Sequence, residues 1–132
     1  MLGFDYPNAK ANIYGEGNNK ISWIATKDVA SFAVAALDNS AAANKTIELG
    51  GPEGLSPLEV VNIFEKVKGT KFALQFVPKE ALKAQRDAAQ DPLSESFATL
   101  MLGVANGSEI DMKSTLDVFP IQLTTVTDYA KI

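Results

Sequence analysis

Residues 46–69, TIELGGPEGLSPLEVVNIFEKVKG, decide the fold class of this chain. Ser56 stands directly before Pro57 and is followed three residues later by Glu59, which is the capping-box pattern of a helix N-terminus. Gly69 supplies the left-handed residue that ends such a helix. A strand, a glycine-rich turn and a capped helix in this order indicate a protein that alternates strands and helices.

The rest of the chain shows the same alternation, so we predict an α/β fold, or α+β in isolation, with a few short strands and about five helices. The loop 15–19 holds two glycines and two asparagines, which predicts a hairpin between the strands that flank it. Thr26 or Asp28 is expected to cap the first helix, and 114–119 to form a turn. The predicted strands span 11–14, 20–24, 45–49 and 72–77, and the predicted helices span 28–37, 57–68, 79–90, 92–105 and about 125–131.

Length and composition exclude several classes of function. A chain of 132 residues suits one domain, which we assign to residues 1–132. Its net charge of -4 offers no basic surface for phosphates, so we expect no nucleic-acid partner. No apolar run has the length of a membrane span, and we expect a cytoplasmic protein without membrane contact. The absence of Cys and His excludes thiol and Ser-His-Asp catalysis and almost every zinc or copper site.

Three short motifs are similar to functional patterns, and each has a simpler structural interpretation. Residues 15–20, GEGNNK, lack the third glycine and the following helix of a dinucleotide-binding turn. Residues 50–54, GGPEG, lie where a helix N-terminus could hold an anion, but Ser56 already caps that helix. Tyr6 and Lys10 have the spacing of a catalytic Tyr–Lys pair, without a helical pattern around them. We therefore assign no catalytic, cofactor-binding or metal-binding residue.

Trp23, Phe97 and Met101 could line a ligand pocket, because such pockets are mostly aromatic and apolar. A tryptophan in a strand is more often part of the core. Phe97 and Met101 belong to a stripe with helical spacing, which is also typical of a core face. The residues alone leave both interpretations open. The stripe consists of Leu93, Phe97, Leu100, Met101 and Val104.

Several segments follow one another in a characteristic order. They are GEGNNKISWI at 15–24, DVA at 28–30, TIELGGPE at 46–53, LS at 55–56, VV at 60–61 and FE at 64–65. Their order and spacing, from about residue 11 to 130, resembles the C-terminal half of NmrA-like proteins. These are atypical members of the extended short-chain dehydrogenase/reductase family.

The resemblance implies a molecule of two parts. Its N-terminal Rossmann part binds NAD(P) through a glycine-rich turn, and its smaller C-terminal part closes the substrate pocket. This chain resembles the second part alone, so we expect the dinucleotide-binding part to be absent, no cofactor to bind residues 1–132 by themselves, and Met1 to be an artificial start. The resemblance also places the segment from Trp23 to Asp28 beside the cleft. That adds Ile24 and Asp28 to the candidate pocket residues Trp23, Phe97 and Met101.

We therefore expect the substrate-side region of an NAD(P)-dependent oxidoreductase or NAD(P)-sensing regulator, inactive by itself and facing a small apolar substrate. Its expected partner is the missing Rossmann part. Without it, the apolar faces of helix 28–37 and strand 45–49 would drive self-association. The alternative is a self-sufficient small module that binds a ligand or another protein. The residues leave open whether the chain is an enzyme.

Overall fold

The computed structural model describes residues 2–132, which form two compact units. Unit 1 contains the described residues up to Ile21 together with Leu55–Ser108, and unit 2 contains Ser22–Gly54 together with Glu109–Ile132. The assignment of 1–132 to one domain stays a prediction. In chain order the elements are β1 (Phe4–Asp5), β2 (Lys10–Tyr14), β3 (Ile21–Ser22), α1 (Thr26–Leu37), a 3₁₀ turn (Ser40–Ala42), β4 (Gly54–Leu55), α2 (Pro57–Lys68), β5 (Ala73–Val77), α3 (Lys79–Asp87), α4 (Pro92–Asn106), α5 (Lys113–Val118) and α6 (Val126–Ala130).

Unit 1 is built on a three-stranded sheet in the order β1-β2-β5. β2 runs antiparallel to β1 and parallel to β5, with Ile13 opposite Phe76. Ile13 is fully buried, as is Phe64 of α2, while the next strand residue, Tyr14, packs against the buried cluster of α3 and α4. Because successive side chains of a strand point to opposite faces, α2 covers one face of the sheet and α3 with α4 covers the other.

Unit 2 has its own small core. Phe32 of α1 packs against Met112 and Phe119, with the two phenyl rings edge to face at 6.2 Å between centroids. Ile47 and Leu49 pack against the same cluster and are partly buried. The core of this unit therefore joins α1 to the residues on either side of α5.

The α/β class is confirmed, and the helix that begins at Pro57 has the predicted signals. Ser56 Oγ accepts a hydrogen bond from the Glu59 N–H at 3.3 Å, and Glu59 Oε2 accepts one from the Ser56 N–H at 2.7 Å. These bonds from Ser56 also hold the pKa of the Glu59 carboxyl below its ordinary value. Gly69 ends the helix with φ at 70°. Residues at the two ends of α2 thus determine where the helix begins and where it ends.

The predicted hairpin between residues 11–14 and 20–24 is wrong. β2 pairs with β1 and β5, whereas the shorter β3 pairs with β4. The loop between them is held elsewhere, since Gly17 C=O accepts the Leu58 N–H at 3.2 Å and Asn19 Nδ2 donates to Ala105 C=O at 2.8 Å. These bonds to α2 and α4 draw the chain away from β2.

The predicted strand 45–49 is also wrong as a hydrogen-bonded strand. Its residues keep the alternation of a strand, with Ile47 and Leu49 turned inward and Thr46 and Glu48 exposed. Within the described part of the chain, however, the segment joins neither sheet. A strand needs a neighbouring backbone edge, and local sequence does not report whether one is present.

Three smaller differences concern helix boundaries. The third predicted helix ends at Asp87 rather than at 90, ahead of the Asp91-Pro92 pair that disfavours helical backbone. The predicted turn at 114–119 is instead a helix, α5, which adds one to the five predicted helices. Neither Thr26 nor Asp28 caps α1, whose N-cap is Ala25 without a side-chain hydrogen bond. No helix in residues 2–132 is long and apolar enough to cross a membrane.

Replacing Ser56 with Ala should lower the free energy of unfolding by about 1 kcal/mol, because the Glu59 N–H at the start of α2 loses its acceptor. Urea unfolding monitored by circular dichroism measures the difference. Ser96→Ala, at an exposed position inside α4, is the matched control and should change stability by less than about 0.5 kcal/mol. Equal stability of Ser56→Ala and the wild type would contradict this role of the cap.

Candidate functional site

The five predicted pocket residues fall into both units. Trp23, Ile24 and Asp28 belong to unit 2, and Phe97 and Met101 belong to unit 1. Trp23 and Ile24 are half-buried. None of the five lines the cavity that segments 51–54 and 109–116 form in unit 2. Their assignment to a substrate pocket therefore stays a prediction.

Asp28 has a structural partner within unit 2. Its side chain is 4% exposed, and its two carboxylate oxygens accept hydrogen bonds from the Thr124 backbone N–H at 2.7 Å and the Thr124 hydroxyl at 2.9 Å. These two donors satisfy the hydrogen-bonding needs of a buried carboxylate. Asp28 therefore ties the first turn of α1 to the segment that precedes α6.

The predicted apolar stripe of α4 divides into two parts. Met101 is fully buried among Leu82, Leu102 and Ala105, which favours its interpretation as a core residue. Phe97 is 49% exposed, and Leu93 and Leu100 on the same stripe are more exposed still. The spacing of i, i+4 and i+7 places these three on one face of the helix. The period of the stripe was predictable, but the side that faces the core was not.

The glycine-rich turn at 50–54 packs closely against neighbouring segments of unit 2. Gly51 lies so close to the Trp23 carbonyl that any side chain there would collide with backbone. A Cβ on Gly50 would come within 2.9 Å of the Ser22 and Ile110 side chains. Across the same contact, Ser22 Oγ accepts the Ile110 N–H at 2.9 Å. These glycines let the turn approach neighbouring chain segments, which is more than a simple turn requires.

A cavity of about 680 Å³ opens beside this turn. Three carboxylates, from Glu53, Glu109 and Asp111, line it together with the single cation of Lys113. Its apolar wall comes from Pro52, Ile110, Met112, Leu116 and Leu123. The excess of negative charge disfavours phosphate or carboxylate ligands and leaves neutral or cationic ones. Within residues 2–132, no three metal-ligating side chains converge to hold a metal ion.

The two glycine-rich loops lack the features of a dinucleotide-binding turn. At the start of α2, the Leu58 N–H donates to Gly17 C=O and the Glu59 N–H donates to Ser56 Oγ, while Pro57 has no N–H. The helix N-terminus is thus already satisfied and cannot cradle a pyrophosphate. The 15–20 loop, in turn, leads into β3 and not into a helix.

Tyr6 and Lys10 do not form a Tyr–Lys pair on a helix. Tyr6 lies in a turn and Lys10 in β2. The cation beside the Tyr6 ring is Lys68, whose Nζ lies 4.9 Å from the ring centroid and donates to the Pro7 carbonyl at 2.8 Å. This cluster anchors the N-terminal segment to α2.

Sequence reasoning missed the cavity of unit 2. Its walls come from two distant segments, 51–54 and 109–116, with Ser22 and Leu123 added. The available signal was three glycines at 50, 51 and 54, more than one turn needs. Such glycines indicate that another part of the chain packs closely against the turn, but they do not predict which part.

The model of the NmrA-like family matches residues 6–130. This chain belongs to the NmrA-like family. An isoflavone reductase homolog from Zea mays is 31% identical over 132 residues, covering 93% of this chain and 43% of the maize protein. A bifunctional pinoresinol-lariciresinol reductase from Linum perenne is 28% identical, covering 96% of this chain and 43% of that protein.

Solved structures agree on the fold of this NmrA-like chain. A binary complex of leucoanthocyanidin reductase with NADPH from Vitis vinifera superposes with a TM-score of 0.75 at 20% identity, covering 95% of this chain and 46% of that one. An NADPH-dependent quinone oxidoreductase from Escherichia coli gives a TM-score of 0.70 at 18% identity. The NmrA-like chain spans less than half the length of these proteins, whose names describe two reductases, an oxidoreductase and an isoflavone reductase homolog.

Replacing Asp28 with Ala should lower the free energy of unfolding by about 2–3 kcal/mol, because it removes two bonds to a buried carboxylate and leaves the Thr124 N–H without that acceptor. Chemical unfolding followed by tryptophan fluorescence reports on unit 2, which contains Trp23. Asp38→Ala, the exposed residue after α1, is the matched control and should be close to neutral. A similar small effect for both variants would contradict the Asp28 tie.

Proposed function

We propose that this chain is the substrate-side portion of an NmrA-like NAD(P)-dependent reductase and is not catalytic by itself. The observation that carries the proposal is the pairing of a family match over residues 6–130 with coverage of about 43% of the reductases it resembles. The glycine loops of the chain do not fit a dinucleotide, so an N-terminal Rossmann part would hold NAD(P) and supply the hydride chemistry. We place the protein in the cytoplasm on the same analogy.

The surface of α1 supports a missing partner. Apolar residues at i, i+4 and i+8, namely Val29, Ala33 and Leu37, are exposed, and Ala30 and Val34 extend the same face. A contiguous apolar helix face in water is typical of an interaction surface. Segment 45–49 alternates inward and exposed side chains and lies outside both sheets of the described chain, which suits addition to a neighbouring sheet. We propose that the N-terminal part covers both, and that self-association covers them when it is absent.

The exposed stripe of α4 is the proposed contribution to substrate binding. Leu93, Phe97 and Leu100 offer an aliphatic and aromatic surface without a charged side chain among them. Such a surface would contact a small apolar substrate and orient it through shape rather than through hydrogen bonds. Met101, a buried residue of the same helix, would hold α4 against the core and so keep this wall in position.

A second candidate is a self-sufficient module that binds a small ligand or another protein. The observation that favours it is the cavity of unit 2, which is open to solvent and whose described walls come from residues of that unit. Its charge suits a neutral or cationic ligand. This candidate needs neither a Rossmann part nor NAD(P).

Titration of the purified chain with NADPH, followed by nicotinamide fluorescence, tests whether the cofactor site lies outside this chain. We expect no saturable binding up to about 1 mM, equivalent to less than about 4 kcal/mol of binding free energy. The leucoanthocyanidin reductase that crystallises with NADPH is the positive control. Micromolar binding of NADPH by this chain alone would contradict the proposal, since the cofactor site would then lie within residues 1–132.

A further inference from the structure

The strand β5 lies at the edge of the sheet of unit 1, in the order β1-β2-β5. Residues 73–76 are exposed and Val77 is half-buried. Natural edge strands usually carry a charge, a proline or a bulge that prevents pairing with another chain. β5, with the sequence ALQFV, contains neither a charged residue nor a proline. It is therefore an edge without the common protection.

The hydrogen bonds of β5 show which backbone groups face outward. The Ala73 N–H donates to Ala9 C=O, and Val77 C=O accepts the Gly15 N–H, both toward β2. Backbone groups alternate sides along a parallel strand, so the odd-numbered residues of β5 pair with β2. Leu74 and Phe76 therefore present their N–H and C=O groups at the open edge.

The side chains of the same two residues are apolar. Leu74 is opposite Ala11 and Phe76 is opposite Ile13, so both point to the face of the sheet that carries buried Ala11 and Ile13. Phe76 is nevertheless 51% exposed, and Leu74 is exposed as well. At the open edge, Leu74 and Phe76 thus combine backbone groups that β2 does not bond with apolar side chains at i and i+2.

We propose that β5 pairs with β5 of a second copy, antiparallel, about a two-fold axis at Gln75. This register places Leu74 opposite the partner's Phe76 and Phe76 opposite the partner's Leu74. All four residues are those whose backbone faces outward, so the register allows four inter-chain hydrogen bonds. Two Leu–Phe contacts form on one face, and Gln75 meets Gln75 of the partner subunit on the other. Such self-complementarity is what a two-fold interface requires.

Local bonds limit the pairing to this core. The Phe72 N–H already donates to Glu65 Oε1 at 2.9 Å, and Pro78 has no N–H to contribute. The flanking Lys71 would approach the partner's Lys79, although Glu65 Oε2 lies 2.6 Å from Lys71 Nζ. The interface is small for a permanent dimer, so the association should be weak and concentration-dependent.

Sedimentation equilibrium of the whole chain, over a wide range of concentrations, tests the register. Gln75→Glu and Gln75→Lys each place like charges directly opposite at the axis, and each should raise the dimer dissociation constant about 5-fold. An equimolar mixture of the two variants should recover at least wild-type association, because a Glu then faces a Lys. Gln90→Glu and Gln90→Lys, at an exposed position outside β5, are the matched controls and should leave association unchanged.

Circular dichroism of each variant checks that it folds. A wild-type chain that stays monomeric at all concentrations would overturn the proposal. Val34→Glu, which places a charge on the exposed α1 face, removes the self-association proposed for that face and isolates the β5 contact. Association that both Gln75 variants leave intact in this background would also overturn the proposal. A mixture that associates no better than either variant alone would overturn the two-fold register.

Discussion

Apolar side chains left in water are the constraint on which this structure depends. Burying apolar surface stabilises a protein by roughly 25 cal/mol per Å². A contiguous apolar face in water therefore favours contact with another element, chain or ligand that buries it. Among residues 2–132, three such faces lie on separate elements, and each has the spacing of its own secondary structure. They are Val29, Val34 and Leu37 on α1, Leu93, Phe97 and Leu100 on α4, and Leu74 and Phe76 on β5.

Each face suggests a different cover. A helix face such as that of α1 suits another layer of the same molecule, and the relatives are more than twice as long as this chain. A helix stripe with an aromatic ring suits a ligand, as proposed for α4. An open strand edge suits another strand, as proposed for β5. One constraint thus supports the proposed partner, the proposed substrate wall and the proposed dimer.

Local signals predicted the parts of the fold that depend on neighbours in sequence. The capping box at Ser56 and the stop at Gly69 set the ends of α2 within one helix. The pairing of β2 could not be predicted in this way, because its partner β5 lies about 60 residues away and loop residues such as Gly17 bond to α2. The site shows the same limit. The helical period around Phe97 was readable, whereas the cavity depends on a contact between the 50–54 turn and the 109–112 segment, which no local pattern specifies.

The mass of the native polypeptide in its source cells tests the central claim most directly. The claim is that these residues act as the substrate-side portion of a larger NmrA-like reductase. An antibody against this chain, combined with mass spectrometry of the captured polypeptide, gives the answer. The account predicts a species about twice the 14.1 kDa of this chain, with a glycine-rich strand-turn-helix in its additional sequence. A native species of 14.1 kDa that is stable alone would contradict it.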